Sequence, residues 1–103
     1  MLNDMNQEII PQVLQAVAGA EHTVYAYMND GAIRLVDMKP LIKQGGVFAR
    51  LSDESFFTDR LTVMNDTVAW DVTGTHDPSQ CIDIDPFTVA ECPVTADPLE
   101  TAL

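Results

Sequence analysis

Basic residues are scarce in this sequence, which has five Lys and Arg side chains against 16 Asp and Glu. The formal net charge of −11 repels phosphate groups, and it argues against direct binding to nucleic acid or to an anionic membrane surface. All five basic residues lie between positions 34 and 60, whereas residues 61–103 hold eight acidic residues and no basic residue. The sequence therefore predicts an acidic molecule with one less negative region.

Long hydrophobic runs and cysteines are also lacking. No uncharged run approaches the roughly 18–20 residues of a transmembrane helix, and the N-terminus lacks the basic segment and apolar stretch of a signal peptide. The two cysteines, Cys81 and Cys92, do not make a disulfide framework, so we expect reduced thiols. These absences predict a cytoplasmic protein without a membrane segment.

The length of the chain limits its organisation to one domain. A chain of 103 residues can bury one modest core, and a hydrophobic content of 47% is typical of a globular protein. We expect a flexible N-terminus over residues 1–10 and a single domain over residues 11–91. Residues 92–103 contain two prolines and few large apolar side chains, which predicts a loose C-terminal tail.

Strand signals dominate the domain between its turn residues. Residues 10–17 match both a helical stripe and a strand alternation, but the neighbouring proline and glycine limit a helix to about two turns, which favours a strand. β-rich runs flank the turns at 29–31 and 65–66, so each pair of runs predicts a β-hairpin. Residues 81–85 alternate with period two, as a half-buried strand does.

The first hairpin allows two registers. With a two-residue loop, the core face of the hairpin holds Ala26, Met28, Ile33 and Leu35. The outer face then holds Tyr25, Tyr27, Arg34 and Val36. A three-residue loop instead places the two tyrosines opposite Ile33 and Leu35. The sequence leaves both registers open.

Short helices separate the strands. The first begins near Pro40 and ends before a Gly-Gly pair, the second is capped by Ser52-Asp53 with Asp53 and Glu54 in its first turn, and the third opens at Asp85. Residues 47–51, between the first two helices, have the pattern of an extended segment. Together these signals predict an α+β fold with a small antiparallel β-sheet of hairpins and two or three short helices.

Several of these segments together resemble the small bacterial family catalogued as domain of unknown function 2442. The resemblance covers residues 11–91 and rests on the hairpin at 22–37, the runs at 37–42 and 46–51, Phe56-Phe57, the run at 67–70, and Cys81 to Pro86. It implies an α+β domain, which occurs alone or ahead of a helix-turn-helix domain. Solitary members are often encoded beside toxin-like proteins, which implies an antitoxin-like or regulatory role.

Candidate metal ligands are concentrated between residues 74 and 85. The weak candidates are His76, Cys81 and Asp83, but neither a Cys-x-x-Cys pair nor a pair of histidines at zinc-site spacing is present. The sequence also has no nucleophile motif and no phosphate-binding loop. We therefore predict no catalytic residues, no cofactor and no metal, and we keep small-ligand or metal binding by the 74–85 loop and strand as the alternative.

Partner-binding candidates are residues of the types that dominate protein interfaces, namely Tyr25, Tyr27, Arg34 and Trp70. Trp70 shares its strand face with Val68 and Val72, so its position also fits the core. The main hypothesis is a non-enzymatic interaction or regulatory module that acts through a small sheet face or a sheet edge. Its partner would be a small protein or a second copy in a homodimer.

Overall fold

The computed structural model describes residues 10–100, and within this range the chain forms two three-stranded antiparallel sheets and three short α-helices. This architecture confirms the predicted small α+β fold. The elements in chain order are β1 (Val13–Ala18), β2 (Thr23–Met28), β3 (Ile33–Asp37), α1 (Lys39–Gln44), α2 (Glu54–Asp59), β4 (Leu61–Met64), β5 (Thr67–Asp71), β6 (Cys81–Asp83) and α3 (Pro86–Ala90). The flexible N-terminus predicted for residues 1–10 lies, except for Ile10, outside the described residues.

The N-terminal sheet has the strand order β1-β2-β3. Residues 13–18 form a strand, as predicted, but the pairing with β2 shifts between Val13 and Gln15. This bulge at Leu14 lets Val13 and Gln15 lie on opposite faces, although residues two apart in a regular strand share a face. Val13 is consequently buried and Gln15 is exposed.

The register of the first hairpin follows the three-residue loop. Tyr27 pairs with Ile33 and Tyr25 pairs with Leu35, because the loop consists of residues 29–31 and Gly31 has a φ of +90°. The faces predicted from the two-residue loop are therefore wrong for β3, whereas Ala26 and Met28 lie on the core side as predicted. Arg34 and Val36 lie on the core side opposite Ala26 and Val24, whereas Ile33 and Leu35 lie on the outer side with the tyrosines.

The segment between β3 and β4 is helical throughout most of its length. The predicted stop of α1 is confirmed by Gly45, which has a φ of +89°, and Asp53 caps α2 by accepting from the backbone of Ser55 and Phe56 at 3.0 and 3.3 Å. The prediction of an extended segment at 47–51 is wrong, because Gly46–Ser52 is a 3₁₀-helix.

The second sheet has the strand order β4-β5-β6. Its first hairpin turns at Asn65 and Asp66, which both have positive φ values (56° and 63°), as a tight hairpin turn between twisted strands requires. Asp85 then caps α3 by accepting from the backbone N–H of Phe87 at 2.8 Å. Both features were predicted from the sequence.

The core lies between the two sheets and is closed by the helices. Its fully buried side chains come from every part of the domain and include Val24, Met38, Leu51, Val68, Trp70 and Val89. The predicted core positions Ile82 and Ile84 are also buried. No helix within residues 10–100 is long and apolar enough to cross a membrane.

The chain after α3 runs along the outer strand of the N-terminal sheet. The Leu35 N–H donates to the Pro93 carbonyl at 2.9 Å, and the Thr95 N–H donates to the Ile33 carbonyl at 2.8 Å. We call residues 92–97 the C-terminal strap. This arrangement differs from the loose tail predicted for residues 92–103, because backbone pairing holds a segment whose side chains contribute little burial.

Candidate interaction surface

The outer face of the N-terminal sheet is turned away from the core and carries apolar side chains. We define this outer face by six residues that pair across the three strands: Gln15, Val17, Tyr25, Tyr27, Ile33 and Leu35. Gln15 is exposed, the other five are half-buried, and none of the six is charged. A row of half-buried aromatic and β-branched side chains without charge is typical of the central part of a protein interface.

A groove of about 590 Å³ lies at one end of the outer face. Its walls include Leu14, Tyr27 and Ile33 from the three strands, and Asp97 from the C-terminal strap. The Tyr27 hydroxyl donates a hydrogen bond to the Asp97 carboxylate, which fixes the position of the tyrosine ring. Leu14 is 64% exposed because the bulge in β1 pushes it out of the strand pairing.

Arg34 does not belong to the outer face, contrary to the prediction. Its side chain extends on the core side of the sheet, where Nη1 donates to the Cys92 carbonyl at 2.8 Å. Its Nε atom is buried and has no hydrogen-bond acceptor among the described residues. Arg34 therefore contacts the start of the C-terminal strap and does not share a surface with Tyr25 and Tyr27.

Trp70 is a core residue and offers no surface to a partner. It is 0% exposed, its indole N–H donates to the Phe57 carbonyl at 3.0 Å, and its ring centroid lies 5.3 Å from that of Phe57. A partner cannot contact a side chain enclosed in this way without unfolding part of the domain. The prediction of Trp70 as a partner-binding residue is therefore wrong, and its alternative core position is confirmed.

On the second sheet, the loop over residues 72–80 contacts the face that is turned away from the core. His76 Nε2 lies 3.4 Å from the Thr62 hydroxyl, and the Asn65 amide donates to the Pro78 carbonyl at 3.1 Å. On this face Ala69 is 0% exposed, whereas its cross-strand partner Asp83 is exposed. The segment that the sequence offered as a ligand-binding loop thus contacts part of a sheet face.

Asp71 holds the beginning of this loop. One carboxylate oxygen accepts from the Gly74 N–H at 3.0 Å, and the other accepts from the His76 N–H at 2.9 Å. Desolvation acts to raise the pKa of Asp71, but these two hydrogen bonds and the nearby Arg60 charge outweigh it and lower the pKa. Asp71 is consequently a charged structural cap at neutral pH.

The three metal-ligand candidates are only partly brought together. The Cys81 sulfur lies 3.8 Å from the Asp83 carboxylate, and both contact the Asn65 amide, whereas His76 contacts Thr62. Within residues 10–100, no group of three or more His, Cys, Asp or Glu side chains is arranged to hold a metal ion.

The two thiols are poor nucleophiles in this environment. Burial and the neighbouring Asp83 charge raise the pKa of Cys81, and burial raises the pKa of Cys92. Because the thiolate is the reactive form, a raised pKa lowers the fraction that can attack a substrate or bind a metal at neutral pH.

Val17 is an outer-face residue that the sequence interpretation missed, whereas Ile33 and Leu35 belong to the three-residue register that the sequence left open. The signal that favours this register is the glycine at the third position of the 29–31 loop, since three-residue hairpin loops commonly end with a residue of positive φ. The pairing of the strap with the edge of β3 had no comparable signal in the sequence, because Pro93 and the small number of large apolar side chains after it favour a loop.

Comparisons with family models, curated proteins and solved structures gave no significant match to this chain.

Proposed function

We propose that this chain is a cytoplasmic, non-enzymatic interaction module that binds a partner protein through the outer face of the N-terminal sheet. One observation carries the proposal: this sheet face is lined by half-buried apolar side chains without a charge, while the equivalent face of the second sheet carries the exposed Asp83 and contacts the 72–80 loop. Exposed contiguous apolar surface on a small domain commonly marks a binding site. Burial of Tyr25 and Tyr27 would supply the main contact area.

The charge of the chain favours a basic partner. The net charge of −11 attracts a cationic protein over a distance of several ångströms and disfavours a close homodimer through self-repulsion. The outer face itself is uncharged, so the contact would combine apolar burial at its centre with long-range attraction from the acidic surroundings. Binding to such a partner weakens as ionic strength rises, whereas direct binding to nucleic acid is not expected.

The resemblance to domain of unknown function 2442 supports a more specific form of this proposal. Solitary members of that family are often encoded beside toxin-like proteins, so we propose an antitoxin-like regulator that neutralises a small basic protein. The alternative of metal or small-ligand binding at residues 74–85 has less support, because this loop packs on its own sheet and the Cys81 thiol has a raised pKa.

Affinity capture with a matched pair of variants tests the proposed surface. The tagged chain is recovered from its own cells at low salt, and its companions are identified by mass spectrometry. Val17→Glu places a charge in the outer face, whereas Val47→Glu makes the same change at a residue that is 68% exposed on the 3₁₀-helix. Circular dichroism establishes that both variants are folded.

The expected result is one small basic companion that is retained by the wild type and by Val47→Glu, lost from Val17→Glu, and released by salt. Binding is then reconstituted with the purified companion. A companion that both variants retain equally would contradict the assignment of the outer face. Recovery of the chain only with itself, together with a dimeric mass in solution, would favour the homodimer instead.

A further inference from the structure

The outer edge of β3 is occupied by the chain's own C-terminal strap. Two backbone hydrogen bonds, from Leu35 to Pro93 and from Thr95 to Ile33, make an isolated antiparallel bridge in which Arg34 faces Val94. The strap thereby satisfies backbone groups that the edge strand of a sheet otherwise leaves unpaired. It meets the edge of the three-stranded sheet through this one bridge.

The side chains of the strap are weakly anchored. Val94 is 63% exposed, and Pro93 and Ala96 are also exposed. Its first residue, Cys92, packs against the core, and beyond it the side-chain contacts include Arg34, which donates to the Cys92 carbonyl, and Tyr27, which donates to Asp97. Segments with little apolar burial and few hydrogen bonds open at low free-energy cost while the rest of a domain stays folded.

We propose that the β3 edge is a docking site for an extended segment of a partner protein, which adds to the sheet in place of the strap. This inference rests on the proposed interaction function, and it specifies how one part of the partner would bind. The strap is the template for the occupant. The replacing segment must supply a carbonyl for Leu35, an N–H for Ile33, and an acceptor side chain for the Tyr27 hydroxyl two residues further along.

The position of the strap connects the edge with the outer face. Asp97 lines the same groove as Leu14, Tyr27 and Ile33, so removal of the strap opens that end of the groove. A partner that places a strand on β3 would therefore also gain access to Tyr27. The strap would act as an internal competitor, with an effective concentration in the millimolar range because it is tethered by a short connection to α3.

A synthetic peptide and full-length variants test this proposal. The peptide has the sequence of residues 92–98 with Cys92→Ser and a fluorescent label. The loosened chain carries Thr95→Pro, which removes the N–H that donates to Ile33, together with Asp97→Ala. The matched control carries Thr95→Ala with wild-type Asp97, and so keeps both strap contacts. Hydrogen exchange at the Leu35 amide reports whether the edge is open.

We expect the loosened chain to exchange its Leu35 amide faster than the control and to bind the peptide at least tenfold more tightly. A peptide N-methylated at Thr95 should lose this binding, whereas one N-methylated at Val94 should keep it, because the Val94 N–H does not pair with β3. Equal peptide binding by the loosened chain and the control, or no binding by either, would overturn the proposal. A dimer of the loosened chain in light scattering would also overturn it, by showing that a second copy takes the edge.

This experiment is independent of the outer-face experiment. Val17 lies on β1, two strands away from the edge, so Val17→Glu should leave peptide binding by the loosened chain unchanged. If the peptide fails to bind while Val17→Glu abolishes partner capture, only the edge proposal fails. If the peptide binds while Val17→Glu has no effect on capture, only the outer-face proposal fails.

Discussion

The aromatic residues have different roles because neighbouring strand positions point to opposite sides of a sheet. Trp70 lies on the core side of its sheet and is enclosed, with its indole N–H satisfied by the Phe57 carbonyl. Tyr25 and Tyr27 point away from the core and keep part of their rings in contact with solvent. The environment of each side chain, and not its residue type, therefore decides which aromatic residues can meet a partner.

Gly19 is required by the packing of Tyr25 on the outer face. A Cβ atom at this position would lie 2.9 Å from Tyr25 Cε2 and would also collide with the Thr23 hydroxyl. Gly19→Ala should therefore lower the free energy of unfolding by about 1–3 kcal/mol, as overpacked substitutions do. Urea denaturation followed by circular dichroism measures this change.

The Thr23→Ala substitution provides the control for this prediction. It removes the hydroxyl that would collide with the new Cβ, so the double variant should lose less stability than the sum of the two single variants. Strictly additive losses would show that Gly19 is needed for another reason, such as its backbone conformation.

The Cys81 thiol should react slowly with alkylating reagents at neutral pH. Burial and the charge of Asp83 raise its pKa, and the sulfur lies 3.8 Å from the Asp83 carboxylate. Asp83→Asn should speed alkylation of Cys81 by iodoacetamide about two- to fivefold, because the thiolate fraction changes about tenfold for each unit of pKa. Mass spectrometry measures the rate, and Cys92 in the same molecule is the internal control, since its pKa is raised mainly by burial. An equal acceleration at both cysteines would indicate general loosening of the domain.

At the scale of elements, the two sheets differ in what covers their outer faces. The second sheet is contacted by the 72–80 loop, which Asp71 holds through hydrogen bonds to two backbone N–H groups. In the N-terminal sheet only four residues connect β2 with β3, and the edge of β3 is met by the strap. A connection of four residues is too short to fold back over a sheet face, whereas the longer connection between β5 and β6 reaches Thr62.

The stabilising effect of Asp71 should depend on pH. Its pKa is lowered in the folded chain, so the carboxylate stabilises the fold above about pH 4, and this contribution is lost as the pH falls through the lowered pKa. Asp71→Asn should therefore be less stable than the wild type at pH 7, and the difference should shrink as the pH falls below about 4. Urea denaturation at a series of pH values measures both chains. Asp66→Asn, in the β4–β5 turn, is the control for the loss of one negative charge without the loss of the hydrogen bonds to Gly74 and His76.

Local signals in the sequence predicted most elements but not their relative faces. The turn at Asn65 and Asp66 and the cap at Asp85 depend on neighbouring residues and appear as predicted, and the cap predicted at Ser52-Asp53 is made by the Asp53 side chain. The register of the first hairpin depended on one residue of loop length, and an error of one residue moves every side chain to the other face. Arg34 was assigned to the wrong face for this reason.

Long-range pairing was not predictable from local patterns. The strap lies about 60 residues from β3 in sequence, and its proline and exposed side chains resemble those of a loop. Residues 47–51 similarly have apolar spacing that suits a strand, but they turn as a 3₁₀-helix between α1 and α2 to bury Leu51. In both cases tertiary contacts decide the local conformation.

At the scale of the whole molecule, the net negative charge lowers the stability of the folded chain and favours association with a basic partner. The single ion pair formed within residues 10–100, between Lys39 and Asp37 at 3.0 Å, is exposed and contributes little stability. Most acidic side chains therefore repel one another in the folded state. The same repulsion becomes attraction when a basic partner approaches.

Salt should consequently stabilise the folded chain while it weakens the proposed complex. The Debye length falls from about 30 Å at 0.01 M to about 10 Å at 0.1 M, so the Tm of the isolated chain should rise most steeply over this range of NaCl and level off above roughly 0.3 M. Differential scanning calorimetry measures the Tm, and KCl at equal ionic strength should give the same curve, because screening does not depend on the identity of the monovalent ion. A Tm that rises linearly up to molar salt would indicate effects on hydration instead of screening. Over the same range of NaCl, the Kd for the purified basic partner should increase. Opposite salt dependences of folding and binding would show that the acidic surface lowers the stability of the isolated chain but promotes its association.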